Sequence, residues 1–205
     1  PRFIDIDLKD YNMNLSLAEA AINQRTRVII ATHTFGYPQD LERLESMVKK
    51  AEEKYGHKIW LMQDCCHAFG AEWKDRMVGT SGDVAVYAFN ISKLITSIFG
   101  GMLTFQNEEL AQKVRNWRDE NYRKPSIYKS LKRKLYLIAA YMAFSEKVYG
   151  FIWWLQMKTT LLNKLTKSYH LDEKIHFPPD FKDKMLNCEA AVGLEQLRKY
   201  PDIIS

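Results

Sequence analysis

S-G-D-V-A-V-Y-A-F-N-I-S-K-L-I-T-S-I-F-G-G-M-L-T, residues Ser81–Thr104, is the stretch on which the reading of this chain turns. An apolar run, Val84 to Phe89, ends in a polar turn, and one lysine, Lys93, sits just past it. The Gly100–Gly101 pair leads into a second apolar run. A lysine at the mouth of a buried strand is a candidate for amine chemistry, because burial lowers its pKa and leaves the neutral nucleophile accessible. Most lysines are solvated surface charges, so the surrounding chain must decide whether this one differs.

Upstream, Arg25–Thr32 reads as a buried strand, β-branched and nearly continuous in its apolar part. Gly36, Tyr37 and Pro38 make a turn. Asp40 caps a helix whose apolar face is Leu41, Leu44, Met47 or Val48, Ala51 and Tyr55, and Gly56 stops it. Ile59–Gln63 is the next strand. Strand, amphipathic helix and strand form a βαβ unit, hence a parallel sheet. Asp64 then stands at a strand's carboxyl end, where open α/β sheets bind ligands. Gly79–Asp83 is a turn, Val84–Phe89 a third strand and Met102–Phe105 a fourth.

Nearer the N-terminus a short strand is expected around Phe3–Ile6. Ser16 with Glu19 has the capping-box form, ahead of a helix over Leu17–Ile22. Downstream, Asn107 caps a helix presenting Leu110, Val114 and Trp117. Asn187–Tyr200 reads as an amphipathic helix with Ala190, Ala191, Leu194 and Leu197 on its apolar face.

Composition bounds the class. With 205 residues, 46% hydrophobic and 27% charged, the chain is an ordinary globular protein of one domain or one and a part. Three cysteines, two of them adjacent (Cys65, Cys66), give neither a disulfide framework nor metal-ligand spacing, which fits a reducing, cytoplasmic setting. The chain starts at Pro1 without a charged-then-apolar leader, so the expectation is no signal peptide and a start inside a longer reading frame.

The net charge of +5 is unevenly placed. Tyr122–His170 holds ten Lys/Arg against one acid, Glu146, a net +9 that leaves −4 for the rest. Its apolar stretches, Leu135–Phe144 and Val148–Leu155, fall short of the roughly 20 residues that span a bilayer. Helices with an apolar and a strongly basic face are expected here. They suit contact with an anionic membrane surface, peripheral at the inner face, or with an acidic partner. The blander reading is a helical hairpin packed on its own domain or on a second subunit. Pro178–Pro179 reads as a linker. The basic residues alternate with apolar ones and no nucleic-acid motif occurs, so nucleic acid is not an expected partner.

The chemistry gathers on Asp64, His67 and Lys93. A carboxylate beside an imine-forming lysine is what pyridoxal phosphate chemistry requires. The lysine holds the cofactor and moves protons, and the carboxylate keeps the pyridine nitrogen protonated. Taken singly, Asp64 could be a strand-end cap and His67 a structural histidine. The wider pattern is more specific. D-C-C-H-A-F-G-A-E-W (Asp64–Trp73), G-T-S-G-D (Gly79–Asp83), Y-A-F-N-I-S-K (Tyr87–Lys93) and G-G (Gly100, Gly101) follow in order. This pattern resembles the DegT/DnrJ/EryC1/StrS family of sugar aminotransferases. Asp5-Ile6-Asp7, the Thr26–Ala31 strand, His33–Gly36 and Asn187–Leu197 are similar too, so the resemblance covers about Arg2–Arg118 and Met185–Tyr200.

The resemblance implies the large domain of a fold-type-I pyridoxal phosphate enzyme, a three-layer α/β fold with a mostly parallel sheet, working as a homodimer. It implies transfer of an amino group, usually from glutamate, to a keto group on a nucleotide-linked or lipid-linked sugar, in cell-surface polysaccharide or secondary-metabolite sugar biosynthesis. By position, Lys93 matches the Schiff-base lysine of the internal aldimine, Asp64 the pyridinium partner and His67 the residue that contacts the cofactor ring. No metal is implied. A dehydrating branch of the family has histidine in place of this lysine, so Lys93 argues for transamination.

Two departures stand out. The family's phosphate-binding serine, five positions before the lysine, is Ala88 here, with Ser92 or Asn90 as possible substitutes. The family's earlier glycine-rich turn and most of its small C-terminal domain also have no counterpart. The expected organisation is therefore residues 1–120 as part of the cofactor-binding domain, 121–183 as a basic helical insertion and 184–205 as a helix leading to a missing domain. Weak cofactor binding and little activity are expected of such a chain. The alternative is a non-catalytic relative whose basic helices serve binding.

Overall fold

In a computed structural model, the described residues are 1–143, 145–158, 177 and 180–204, with the side chains of Gln156 and Ile204 left aside. Pro178–Pro179 and the part of the basic segment beyond Lys158 lie outside them. The chain divides into two compact units: Pro1–Arg118 with Glu189–Ser205, and Asp119–Cys188.

The first unit is built on a sheet of β1 (Val28–Thr32), β2 (Trp60–Asp64), β5 (Val84–Ala88) and β6 (Gly101–Phe105), in the order β1-β2-β5-β6. Neighbours β1, β2 and β5 are parallel, and β6 returns antiparallel to β5. The sheet is thus mostly parallel, as expected, and β1, helix α2 (Leu41–Tyr55) and β2 form the expected crossover unit.

Helix α2 (Leu41–Tyr55) forms where the sequence pattern places it. Asp40 accepts a hydrogen bond from the Arg43 N–H (3.0 Å), and Gly56 closes the helix at φ +69°. Leu41, Leu44, Met47, Val48 and Ala51 are all buried against Ile29, Ala31 and Leu61. Burial of each leucine stabilises by about 1.5–3 kcal/mol.

Alternation along the strands separates two faces. Ile29, Ala31, Leu61, Gln63, Ala85 and Tyr87 are buried on one face. On the other, Val28, Ile30, Trp60 and Leu103 are exposed, and Met62, Val84 and Val86 are half-buried. The apolar run of β1 is therefore covered on one side only, which corrects its reading as a buried strand. That strand also starts at Val28, not Arg25, because Asn23 and Thr26 close a turn (the Thr26 N–H donates to the Asn23 carbonyl, 2.9 Å).

Other local expectations are corrected. No strand forms at Phe3–Ile6, where only Ile6 makes an isolated bridge to Met13. Helix α1 is Leu15–Ala21, and its cap is Asn14, whose Oδ1 accepts from the N–H groups of Ser16 and Leu17. Ser16 is already helical, so it cannot cap. A two-residue turn at Lys74–Asp75, both at positive φ, joins β3 (Glu72–Trp73) to β4 (Arg76–Met77). Lysine at such a turn carries no glycine signal, so the hairpin was missed.

Helix α3 (Glu108–Asn121) is capped by Asn107 as expected, but only Ala111 is buried, and Trp117 is exposed. Helix α6 (Asn187–Arg198) buries Glu189 and Gly193, with Leu197 half-buried, while Ala191 and Leu194 face solvent. Its inner stripe is thus rotated from the expected one. A Cβ on Gly193 would stand 3.2 Å from Ser97, so a small residue has to face inward there. Tyr200 opens a further turn, α7 (Tyr200–Ile204), and packs edge-on to Phe69 at 5.2 Å.

The second unit contains α4 (Ile127–Ala143) and α5 (Glu146–Lys158), which pack on one another. No described helix is long and apolar enough to cross a membrane. The basic residues of α4 are not all on an outer face. Lys129 pairs with Asp180 (2.8 Å) and Asp183 (3.0 Å), and Arg133 lies 3.5 Å from Asp180. Burial opposes the charge on Lys129, but the two carboxylates outweigh it and raise its pKa.

Candidate functional site

The turn at Gly79–Asp83 is set by a buried polar network. His33 Nδ1 accepts from the Gln39 N–H at 3.0 Å, so its other nitrogen carries the proton and donates to Gln63 Oε1 at 2.9 Å. Gln63 Oε1 also accepts from the Gly79 N–H (2.9 Å), and Gln63 Nε2 donates to the carbonyl and hydroxyl of Ser81. Burial lowers the His33 pKa, with Gln63 and Asp64 opposing, which keeps the ring neutral in this role. Gly79 sits at φ +82°, and a Cβ there would fall 2.0 Å from the Tyr87 hydroxyl. Asp83 completes the turn by accepting from the Leu61 N–H (2.8 Å) and pairing with Lys58 (2.9 Å). The glycine-aspartate motif is therefore a structural brace between β2 and β5.

Beyond the carboxyl ends of β2 and β5 lies a pocket of about 390 Å³, lined among others by Phe35, Cys66, His67, Ala88, Ser92 and Lys93. Such a volume suits a small cofactor. Lys93 is half-buried on the loop after β5. That loop is pinned at both ends: the Phe89 N–H donates to the Gly100 carbonyl (2.8 Å) and the Ser97 N–H to the Phe89 carbonyl (2.9 Å). Buried Ile95 and Ser97 anchor its middle. Gly101 permits the close return of the chain, since a Cβ would fall 2.4 Å from the Tyr87 carbonyl oxygen.

Of the three residues singled out in the sequence, His67 and Lys93 line this pocket together. Asp64 is not in its lining. It stands at the end of β2, half-buried, with Oδ1 accepting from the Cys66 N–H (3.1 Å) and Oδ2 at 3.4 Å from the Thr32 hydroxyl. Both Asp64 and Lys93 act electrostatically on the Cys66 thiol, so the three share one neighbourhood.

Two lining residues escaped sequence reading. Phe35 adopts φ 54°, ψ 21°, a left-handed conformation that costs a non-glycine residue about 1–2 kcal/mol. It sets its ring 6.4 Å from that of His67, with planes 23° apart. No sequence signal marks a strained phenylalanine. The other is Cys66, which without metal-ligand spacing or a disulfide framework carries no sequence signal of its own. Burial pushes its thiol up to about 11, with Asp64 adding and Lys93 opposing, so the thiol is not an activated nucleophile. Ala88 presents a methyl to the pocket. Ser92, its nearest hydroxyl-bearing neighbour in the lining, donates to Asn90 Oδ1 at 2.7 Å.

All 205 residues, 1–205, match the model of the DegT/DnrJ/EryC1/StrS aminotransferase family. Among curated proteins, a GDP-perosamine synthase of Escherichia coli O157:H7 is 31% identical over 142 residues, which is 62% of this chain and 37% of that protein. Among solved structures, the sugar aminotransferase CalS13 from Micromonospora echinospora superposes with a TM-score of 0.54 at 34% identity, over 56% of this chain and 31% of that one. A putative sugar aminotransferase, Spr1654 from Streptococcus pneumoniae in its PMP-form, shares the fold at a TM-score of 0.64 and 22% identity, over 98% of this chain and 45% of that one. This chain spans less than half the length of each.

Proposed function

The chain belongs to the DegT/DnrJ/EryC1/StrS aminotransferase family, and from that premise we propose that it forms the cofactor-binding part of a pyridoxal phosphate-dependent aminotransferase acting on a nucleotide-linked keto-sugar. The observation that carries the reading is Lys93 and His67 lining one pocket beside the carboxyl ends of parallel strands, with Asp64 at the end of β2. The substrate class rests on the relatives, which include the GDP-perosamine synthase and a UDP-N-acetyl-3-dehydro-alpha-D-glucosamine 3-aminotransferase of Acidithiobacillus ferrooxidans. Glutamate as donor, a homodimer as the working form and a cytoplasmic place of action belong to the same proposal; peripheral contact with an anionic membrane is a separate one.

The residues present fit the ring end of the cofactor. Lys93, in the pocket lining, would supply the amine that holds it and a base for proton transfer. Asp64, which stands beside the pocket and not in its lining, would hold a proton on the ring nitrogen by its negative charge. His67, backed by Phe35, offers an aromatic surface to the ring. When bound, pyridoxal phosphate supplies the electron sink that the reaction needs. The phosphate end fits less well: Ala88 offers no donor, and the Ser92 hydroxyl must leave Asn90 to take its place. Ala88 is also the observation that favours the second reading, a relative that has lost the cofactor.

One experiment separates the two. The protein is mixed with pyridoxal phosphate, reduced with borohydride and mapped by mass spectrometry. The first reading expects a pyridoxyl adduct on Lys93 that vanishes in Lys93→Ala. No adduct on Lys93 at saturating cofactor leaves the second reading standing.

A further inference from the structure

Helix α4 is amphipathic the wrong way round for a helix that buries its apolar side. Its covered face is formed by Lys129, Ser130, Arg133, Leu137 and Ala140, with the two cations held by Asp180 and Asp183. An apolar stripe runs along its exposed side. Ile127 is 90% exposed, Leu131 57%, Leu135 59%, Ile138 58% and Met142 56%. At about 100° per residue these five fall within some 80° of one another, a stripe about 22 Å long. Exposed Lys132 and Lys134 flank it on either side, and α4 contains no acidic residue. On α5, Trp153 and Trp154 are about half exposed.

We propose that this stripe docks on an anionic lipid surface, with Ile127, Leu131, Leu135, Ile138 and Met142 entering the headgroup–acyl boundary and Lys132 and Lys134 reaching lipid phosphates. The charge decides the occupant. A second copy laid on the stripe about a two-fold axis would bring the flanking lysines Lys132 and Lys134 against those of the other copy. An anionic bilayer neutralises the same lysines, at about 1 kcal/mol for each one near the surface. Half-exposed tryptophans suit the interface of such a surface. A helix with one apolar face flanked by lysines lies in the membrane plane.

The inference is independent of the aminotransferase reading, and its test does not use activity. The protein is sedimented with vesicles of phosphatidylcholine alone and with vesicles containing phosphatidylglycerol, at low and high salt. Pelleting is expected only with the anionic vesicles, and weakened by salt. The double variant Lys132→Glu/Lys134→Glu lowers the apparent affinity by at least about tenfold, and Leu131→Glu/Leu135→Glu abolishes pelleting, with circular dichroism confirming that both remain folded. Equal pelleting on both vesicle types, or none on anionic vesicles, overturns the proposal. So does a stripe variant that turns a dimer into a monomer in sedimentation velocity while leaving vesicle binding unchanged, because the stripe is then an interface between copies.

Discussion

Gln63 and Asp64 are neighbours on β2 and serve opposite faces of the sheet. The Gln63 side chain is fully buried among His33, Gly79 and Ser81, and that of Asp64 stands half-buried at the strand's end beside the Cys66 amide. The pleat alone separates them: successive side chains of a strand point to opposite sides. One face braces the turn at Gly79–Asp83, and the other carries Asp64, the residue proposed to meet the cofactor ring.

This pairing predicts opposite phenotypes for adjacent substitutions. Gln63→Leu strands donors and acceptors on three buried partners and should lower stability by about 1–3 kcal/mol or more. Asp64→Asn keeps the Oδ1 acceptor for Cys66 and should stay within about 0.5 kcal/mol of the parent, yet weaken pyridoxal phosphate binding. Urea denaturation and a cofactor titration on the same two proteins check both halves.

Stability should fall on mild acidification because of His33. Its folded pKa lies below the ordinary 6.5, so the unfolded chain takes up the proton first. The stabilising contribution is complete above 6.5 and is lost as pH falls from there through the lowered folded value. Melting temperature measured from pH 8 down to about pH 5 should drop, and His33→Gln should flatten that part of the profile while starting from a lower plateau.

Restoring a hydroxyl at position 88 should tighten cofactor binding. Ala88→Ser places a donor on the wall that already carries Ser92 and Lys93. A hydrogen bond to a charged phosphate contributes about 1.5–3 kcal/mol, so the dissociation constant should fall by about ten- to a hundredfold. Fluorescence titration with pyridoxal phosphate measures it. An unchanged constant would mean that position 88 does not face the phosphate.

Two glycines with similar backbones should respond differently. Gly79 and Gly56 both lie at positive φ, but only Gly79 has the Tyr87 hydroxyl where a Cβ would go. Gly56→Ala should cost about 1 kcal/mol from backbone strain alone. Gly79→Ala should cost several times more, because the Tyr87 ring must move in a filled core. Thermal melts of the two variants, monitored by circular dichroism, make the comparison.

Much of this was legible in the chain. The β1–α2–β2 unit announced itself through the period of Leu41, Leu44, Val48 and Ala51 and through Asp40 and Gly56, because caps and periodicity are local. Asp64, His67 and Lys93 were legible as one constellation at strand ends, of which His67 and Lys93 line one pocket and Asp64 stands beside it. The hairpin at Lys74–Asp75 and the rotated stripe of α6 were not, since neither depends on a local signal. Turn backbones at positive φ without glycine, and which side of a helix meets its neighbour, are settled by packing partners distant in sequence.

Amino-acid order alone determined the strand-and-helix succession, the residues that end strands near a ligand site and the concentration of positive charge after Tyr122, because each is a property of spacing or composition. Tertiary structure alone decided three things. It put Asp64 beside the pocket but outside its lining, drew Phe35 into strain against His67, and turned Lys129 and Arg133 of α4 inward onto Asp180 and Asp183. Ion pairs of this kind join residues some fifty positions apart, and no local pattern anticipates them; with the two cations drawn inward, the apolar side of α4 is left facing out.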